Sequence, residues 1–197
     1  MSRFDSTFYQ RFYLDPRTRV TNREEMQVRA RAIAGLVQHL EIPVARILDA
    51  GCGLGLMRQP LLKAFPAATY IGIEVSEHVC ARYGWIQASI ADVKLRGRFD
   101  LIVCYDVLQY LSDRDAARAL ANLARLCRGA LYFHAPTLED WQRNADRSCS
   151  DSEIRLRGVE WYRSRLQRHF RHAGFGIYVR RGVPIVQWAL EQAEASA

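Results

Sequence analysis

The segment "ILDAGCGLG", from Ile47 to Gly55, joins a predicted strand to a predicted helix. The apolar run "ARILDA" before the glycines is typical of a short buried strand, and "MRQPLLKAF" after them is typical of a helix. Glycines at 51, 53 and 55 let the backbone turn tightly and approach another group closely. A tight turn without any ligand would use the same glycines, so they do not by themselves establish a binding site.

Strand and helix patterns alternate on both sides of this turn. Before it, a helix is expected over residues 22–40, started by a capping box of Thr21 and Glu24. After it, strands are expected at "ATYIGIEV", "WIQAS", "FDLIVCYDV" and "ALYFHA". A short helix, "SEHVCARYG", with Ser76 as its cap, lies between the first two of these strands.

The same alternation continues toward the C-terminus. A helix that begins at Ser112 or Asp113 is expected to close at Gly129. A helix over 159–173 and two late strands, "GIYVR" and "IVQWAL", complete the pattern. The chain is therefore expected to form an α/β fold with a mostly parallel, seven-stranded sheet flanked by helices. Ligands bind such sheets beyond the carboxyl ends of the strands, where the glycine turn lies.

Charge narrows the class of partner. The chain has 197 residues and a formal net charge of +7, which comes almost wholly from arginine because Lys63 and Lys94 are the only lysines. A basic balance suits an acidic partner such as RNA. In the densest arginine run, Glu153 to His172, the arginines fall between apolar positions of a helical pattern, and we favour a solvated face.

Cysteine usage and hydropathy bear on the compartment. The five cysteines are widely scattered without a CxxC pair, which argues against a disulfide framework and a structural zinc site. The N-terminus has no apolar core of a signal peptide, and no run of about 18 apolar residues predicts a membrane span. We expect a cytoplasmic protein without a metal site or membrane contact.

Two carboxylates indicate what the glycine turn binds. Asp49 stands two residues before the first glycine, where it would repel the pyrophosphate of a dinucleotide. The dinucleotide pattern GxGxxG also fails, because Leu56 takes the place of its third glycine. An acid suits a cationic group such as the ammonium of an amino acid, and Glu74, at the end of the next strand, can hold two ribose hydroxyls. An amino acid joined to a nucleoside is S-adenosylmethionine.

Four segments, in order over about residues 19–135, resemble the Rossmann-like (class I) S-adenosylmethionine-dependent methyltransferases. "ILDAGCGLG" resembles the family's first motif, "YIGIEVS" the second, "IQASIAD" the adenine-side motif and "FDLIVCYDVLQYL" the fourth. The resemblance implies a Rossmann-like methyltransferase fold, with S-adenosylmethionine as cofactor and S-adenosylhomocysteine as product. The length of 197 residues suits one domain. Within it we expect an N-terminal aromatic and helical lid at 1–40, a cofactor-binding half at 41–135 and an acceptor side at 136–197.

The resemblance also implies a set of cofactor-binding residues: Arg19, Asp49, Gly51, Gly53, Glu74, Val75, Ser89, Ile90, Cys104 and Asp106. Gly51 and Gly53 would lie against the methionine part, Glu74 would hold the ribose and Val75 would pack on the adenine. The alternative for Glu74 is a solvated acid at the end of a strand.

By the same resemblance, the remaining members of this set would bind the adenine and the methionine part of the cofactor. Ser89 and Ile90 would meet the amino group and ring face of the adenine. Cys104 and Asp106, which follow the fourth strand, would lie beside the methionine chain and the reactive methyl, although Asp106 could instead cap a helix. Arg19, in the entrance segment "YLDPRTRVT", would pair with the carboxylate of the cofactor.

The implied reaction is displacement at a sulfonium methyl by a nucleophilic atom of an acceptor, assisted mainly by positioning. His134, directly after the fifth strand, is the candidate general base, and its alternative is a hydrogen bond within a loop. Tyr105 is the second catalytic candidate. Tyr105, Tyr110 and Trp141 would line the pocket or the core, and Tyr9 and Tyr13 would close over the site.

Absent motifs narrow the acceptor. No DPPY-like or NPPY-like tetrapeptide follows the fourth strand, and no Pro-Cys pair is present, which disfavours methylation of DNA bases. The polar loop of about 23 residues after the fifth strand, 136–158, would shape the acceptor site. We expect methyl transfer to an O or N atom of a small-molecule metabolite, by a monomer or homodimer without a nucleic-acid partner. The alternatives are methylation of RNA or protein, and a cofactor-binding module that catalyses nothing.

Overall fold

The computed structural model describes residues 3–145 and 150–191, so Cys149 and the middle of the acceptor-side loop lie outside the described residues. Its sheet has seven strands: β1 Arg46–Ala50, β2 Thr69–Glu74, β3 Ile86–Gln87, β4 Phe99–Tyr105, β5 Cys127–His134, β6 Phe170–Gly174 and β7 Ile177–Arg180. They run in the order β3-β2-β1-β4-β5-β7-β6. The first five are parallel, whereas β7 is antiparallel to both β5 and β6. The expectation of a mostly parallel seven-stranded sheet is confirmed.

Helices cover both faces of the sheet. The α-helices are α1 Ser6–Tyr9, α2 Arg23–His39, α3 Arg58–Ala64, α4 Glu77–Tyr83, α5 Asp113–Leu126, α6 Leu138–Arg143 and α7 Val159–Leu166. A π-helical turn, Gln10–Leu14, extends α1, and two 3₁₀ turns lie at Leu108–Tyr110 and Ala189–Glu191. Apolar residues of α2 and α3 pack on one face of the sheet and those of α5 and α7 on the other. No helix among residues 3–145 and 150–191 is long and apolar enough to cross a membrane.

The helix predicted over 22–40 is present, but its capping box is formed by Asn22 and Glu25 instead of Thr21 and Glu24. Asn22 takes the extended backbone of a cap, and its side chain accepts from the Glu25 amide while the Glu25 carboxylate accepts from the Asn22 amide. Thr21 supports this arrangement, because its hydroxyl donates to Glu25 at 3.1 Å.

Gly129 does not end a helix. The helix α5 stops at Leu126 and the chain enters β5 at once, so that Gly129 lies within the strand. A Cβ atom at position 129 would stand 2.3 Å from the carbonyl oxygen of Asp100, which is why glycine occupies this position. Ser76 precedes α4, but its side chain makes no capping bond there.

The C-terminal region differs from the prediction in two elements. The helix expected over 159–173 ends at Leu166, and residues 170–174 form β6. The turn to β7 holds Gly174, Phe175 and Gly176 at positive φ, a conformation that glycine adopts readily. The strand expected at "IVQWAL" is absent from the described chain, which places a 3₁₀ turn at Ala189–Glu191 instead.

Candidate active site

The glycine turn after β1 has the conformation that its sequence requires. Gly51, Gly53 and Gly55 have φ of +78°, +50° and +67°. The Gly51 amide donates to the Ile73 carbonyl at 2.8 Å, which fixes the turn against β2. A Cβ atom at position 51 would come within 2.3 Å of Val107 Cγ2, whereas at position 53 the nearest atom, in Tyr9, is 3.8 Å away. The backbone at Gly51 is therefore as closely packed as a glycine allows.

The carboxylate of Glu74 joins this turn to the end of β2. Glu74 is buried, and it accepts hydrogen bonds from the amides of Gly53 (3.0 Å), Val75 (2.7 Å) and Ser76 (3.1 Å). These bonds fix the orientation of both carboxylate oxygens. A carboxylate has about four lone-pair positions, so it keeps the capacity to accept from two ligand hydroxyls. This arrangement argues against the alternative of a solvated acid at a strand end.

Asp49 is also buried, at the carboxyl end of β1, where it accepts a hydrogen bond from the Tyr70 hydroxyl. Burial and the nearby charge of Glu74 raise the pKa of Asp49 to about 7. Asp49 lines a small cavity of about 40 Å³ together with Gly51, Gly53 and other residues. A cationic group placed in this cavity would favour the ionised form of the acid.

A larger cavity of about 340 Å³ lies beyond the carboxyl ends of β1, β2 and β4. Eight of the predicted site residues line it: Gly51, Gly53, Glu74, Val75, Ser89, Ile90, Tyr105 and Asp106. The volume lies within the range of ligand pockets, about 300–1,000 Å³. Gly51, Gly53 and Tyr105 also line the small cavity beside Asp49, so the two cavities adjoin.

The N-terminal segment covers the larger cavity. Phe4, Phe8, Tyr9 and Tyr13 line it, and the closure of Tyr9 and Tyr13 over a bound cofactor stays a prediction. Their rings contact one another, with 5.5 Å between the centroids of Phe8 and Tyr9 and 5.4 Å between those of Tyr9 and Tyr13. The hydroxyl of Ser76 donates to the Phe4 carbonyl and so attaches this segment to the end of β2.

Arg3 links the covering segment to the acceptor-side loop. Its Nη2 donates to the Asp151 carboxylate at 2.8 Å and to the Glu153 carbonyl at 2.6 Å. Its guanidinium lies 5.0 Å from the centroid of the Tyr110 ring, which also lines the larger cavity. No pattern in the sequence pointed to Arg3, because its partners are about 150 residues away.

Asp106 and His134 form a hydrogen-bonded pair at the ends of β4 and β5. His134 Nδ1 lies 2.7 Å from Asp106 Oδ1, and the Asp106 amide donates to the His134 carbonyl at 3.0 Å. Asp106 has φ of +55°, a strained conformation that aims its side chain at the histidine. The Tyr105 ring stacks on the imidazole with 5.1 Å between centroids. Asp106 caps no helix here, and His134 bonds to a residue of the site.

Besides His134, three of the predicted residues line neither cavity. Cys104 does not follow β4 but belongs to it, and its fully buried side chain packs in the core beneath α5. Successive side chains of a strand point to opposite faces, so the cavity receives Tyr105 and not Cys104. Arg19 is exposed and lines neither cavity, and its contact with a cofactor carboxylate stays a prediction. Trp141 lines neither cavity.

Arg157 anchors the acceptor-side loop to the protein core, and no sequence pattern indicated this role. Its guanidinium is buried, and it donates to the carbonyls of Leu108 (2.9 Å) and Leu111 (2.6 Å) and to Asp113 Oδ1 (2.9 Å). It also reaches the Tyr162 hydroxyl at 3.3 Å. The loop is thereby attached to the segment that follows β4.

These residues fit S-adenosylmethionine. The Glu74 carboxylate has acceptor capacity for two ribose hydroxyls, and Val75 and Ile90 would provide apolar contacts for the adenine. At Gly53, where the nearest atom to a Cβ position is 3.8 Å away, the backbone is open to close approach. Asp49, which lines the small adjoining cavity, would suit the ammonium of the methionine part.

Comparisons with known proteins identify the family of this chain. The family model described as "Methyltransferase domain" matches residues 14–178. Trans-aconitate 2-methyltransferase of Deinococcus radiodurans is 34% identical over 108 residues, which cover 51% of this chain and 41% of that protein. Magnesium-protoporphyrin O-methyltransferase of Synechocystis is 30% identical over 122 residues, which cover 54% and 51%. The chain thus spans about half or less of the length of these two relatives.

Solved structures share the fold. The structure of DesVI from Streptomyces venezuelae has a TM-score of 0.59 at 17% identity, over 79% of this chain and 91% of that one. The Synechocystis magnesium protoporphyrin IX methyltransferase with bound S-adenosylmethionine has a TM-score of 0.54 at 18% identity, over 78% and 76%. Since the family model matches well over half of the residues, this chain belongs to the Rossmann-like family of S-adenosylmethionine-dependent methyltransferases.

Proposed function

We propose that this chain transfers a methyl group from S-adenosylmethionine to an O or N atom of a small-molecule metabolite. The Asp106–His134 pair carries the proposal. Asp106 lines the cofactor cavity, whereas His134 lines two open grooves outside it, of about 960 and 750 Å³. The pair therefore stands where a donor in the cavity would meet an acceptor in a groove.

The residues of the cavity hold the donor. When bound, S-adenosylmethionine supplies a methyl group on a positively charged sulfur, which a correctly placed nucleophile can displace. Glu74 fixes the ribose, and Asp49 attracts the ammonium. The covering segment, with Phe8 and Tyr13, keeps water from the cavity.

His134 receives the proton of the acceptor. Asp106 Oδ1 accepts from Nδ1–H of the imidazole, a bond that selects the tautomer with a free Nε2. As the nucleophilic oxygen or nitrogen bonds to the methyl carbon, its proton passes to Nε2. Burial raises the pKa of Tyr105, so its hydroxyl stays protonated and the ring acts as a positioning residue that stacks on His134.

The size of the site supports a small acceptor. Both grooves at His134 fall in the volume range of small-molecule pockets, about 300–1,000 Å³. The two relatives named above are trans-aconitate and magnesium-protoporphyrin methyltransferases, and both names specify small acceptors.

Transfer of a labelled methyl group tests the proposal. The protein is incubated with methyl-labelled S-adenosylmethionine and, separately, with a small-molecule extract, RNA and protein from the same cells. Label is expected in the small-molecule fraction, and His134→Gln is expected to lower kcat by about 10²–10⁴-fold without changing the affinity for S-adenosylhomocysteine. The control is His169→Gln, an exposed histidine outside both grooves at His134. Label confined to RNA or protein would contradict the proposal, and tight cofactor binding without transfer to any fraction would indicate a non-catalytic module.

We also propose that residues 1–197 form one cytoplasmic domain, with the lid, cofactor half and acceptor side divided as expected from the sequence. Support for the lid comes from the four aromatic residues of the N-terminal segment that line the cavity. Support for a reducing compartment comes from Cys52, Cys80, Cys104 and Cys127, which are all free and buried.

A further inference from the structure

Arg29, on α2, is a half-buried cation that forms no ion pair with the described residues. Burial opposes its charge, but its tyrosine neighbours and the more distant Asp106 carboxylate raise its pKa. Its Nη1 donates to the Tyr132 hydroxyl at 2.8 Å, and its guanidinium lies 4.4 Å from the centroid of the Tyr105 ring. Its Nε is buried and makes no hydrogen bond, and no carboxylate within the described chain lies at ion-pair distance. Buried arginines are normally paired, and a buried donor without a partner lowers stability. Packing alone does not account for this residue.

Arg29 lines the same groove as His134, the one of about 750 Å³. Most of this groove is apolar or aromatic, formed by Val28, Ala32, Ile33, Leu36, Tyr132, Phe175 and Gly176. Asn22, Glu24 and Glu25 also line it, but Glu25 is engaged in the capping box of α2 and Glu24 is exposed. The cation, the apolar surface and the candidate base therefore face one space.

The Tyr105 ring connects this groove to the cofactor cavity. It lines the cavity, stacks on His134 and contacts the guanidinium of Arg29. A molecule held by Arg29 would thus have its other end near the Asp106–His134 pair, on the side from which a methyl group would be transferred.

Resting on the proposed function, we propose that this groove binds the methyl acceptor and that Arg29 binds a carboxylate of that acceptor. The acceptor is then an anion with an apolar body, whose nucleophilic oxygen or nitrogen lies at His134 Nε2. Arg29 Nη2 makes no hydrogen bond to the described residues, so the guanidinium has N–H groups left for a carboxylate. Arg29 is a specificity-determining residue in this proposal.

Two probes of one shape and different charge test it. The protein saturated with S-adenosylhomocysteine is titrated with 4-hydroxybenzoate and with 4-hydroxybenzamide, and binding is followed by NMR. The acid is expected to bind roughly tenfold more tightly than the amide, because the guanidinium then pairs with a charged carboxylate instead of donating to an uncharged amide. Arg29→Met is expected to abolish this preference, and Arg29→Lys to retain part of it.

Arg31→Met is the matched control, because Arg31 is exposed on the same helix and lines no part of the groove. If Arg29 only spaces the two tyrosines, Arg29→Met would lower stability and leave the acid preference intact. An acid preference that survives in Arg29→Met would overturn the inference. So would equal binding of the two probes by the wild type, or no binding of either probe at millimolar concentration. Failure of the wild type to bind S-adenosylhomocysteine would instead overturn the proposed function.

Discussion

Replacing Glu74 by glutamine changes the donors and acceptors of the cofactor cavity at a single side chain. In the native protein one carboxylate oxygen accepts from Val75 and Ser76 and the other accepts from Gly53. The glutamine carbonyl can keep the first two bonds, but its NH₂ group then faces the amide of Gly53. A buried donor without an acceptor lowers the free energy of unfolding by about 1–3 kcal/mol, or about 2–4 °C in Tm for each kcal/mol.

Glu74→Gln is also expected to weaken the hydrogen bonding of the ribose. A ribose hydroxyl loses a hydrogen bond to a charged acceptor, which contributes about 1.5–3 kcal/mol. The Kd for S-adenosylhomocysteine is therefore expected to rise roughly ten- to hundredfold. Calorimetric titration measures the affinity, and thermal unfolding without ligand measures the stability.

Glu77→Gln is the control for this prediction, because it removes the same charge from an exposed position on α4. It should leave both the Kd and the Tm close to those of the wild type. An unchanged Kd for Glu74→Gln, or an increase no larger than that of Glu77→Gln, would refute the assignment of Glu74 to the ribose.

Three further changes follow from the geometry. Gly51→Ala is expected to lower the free energy of unfolding by about 1–3 kcal/mol, measured by urea unfolding, because its φ is +78° and the new Cβ would overlap Val107. Arg157→Met is expected to cost, in the same assay, about 1–3 kcal/mol for each acceptor left without its donor, since it removes the donors that reach the backbone carbonyls of Leu108 and Leu111. Burial holds the pKa of Asp49 at about 7, above that of the unfolded chain, so the native state retains a proton that the unfolded state releases. The free energy of unfolding should therefore fall as pH rises, by up to about 4 kcal/mol between pH about 4 and 7. Urea unfolding measured across this pH range should show the fall in the wild type and not in Asp49→Asn.

Controls exist for the first two of these changes. Gly35→Ala places the same methyl group in α2, where nothing lies within 4 Å, and is expected to raise stability by about 0.5–1 kcal/mol. Arg155→Met removes an exposed arginine from the same loop as Arg157 and should leave stability within about 0.5 kcal/mol of the wild type. A loss below about 1 kcal/mol for Arg157→Met would contradict the anchoring role. Equal effects of Gly51→Ala and Gly35→Ala on stability would contradict the strain argued for Gly51.

The glycine turn and Glu74 could be predicted because their roles depend on local sequence. A glycine at positive φ and an acid at the end of a strand are recognisable from a few neighbouring residues. Their relation in space also follows from the sheet, since parallel strands end at the same edge. The Gly53 amide and the Glu74 carboxylate meet there at 3.0 Å.

The error after Leu166 has a physical cause. Apolar residues between 159 and 173 fit a helical period, but Phe170 and His172 lie on one face of a short strand equally well. The tight turn at Gly174 and Gly176 decides between them by bringing β6 against β7. Short apolar runs do not distinguish a helix from a strand by their period, so the flanking glycines carried the information.

Arg29 and Arg157 illustrate what a single sequence does not contain. Both are arginines among 26 in the chain, and nothing near them in sequence marks Arg157 as buried or Arg29 as half-buried. Their partners, Tyr132 for one and Leu108 for the other, are 103 and 49 residues away. Such positions depend on tertiary packing, which local patterns do not record.

Calorimetric titration of the wild-type protein with S-adenosylhomocysteine, with NADH as the comparison ligand, tests the central claim most directly. We expect a micromolar Kd, about 8 kcal/mol of binding free energy, and no heat from NADH, whose pyrophosphate Asp49 would repel. A folded protein that binds no S-adenosylhomocysteine, or that prefers NADH, would contradict the assignment of this cavity to S-adenosylmethionine.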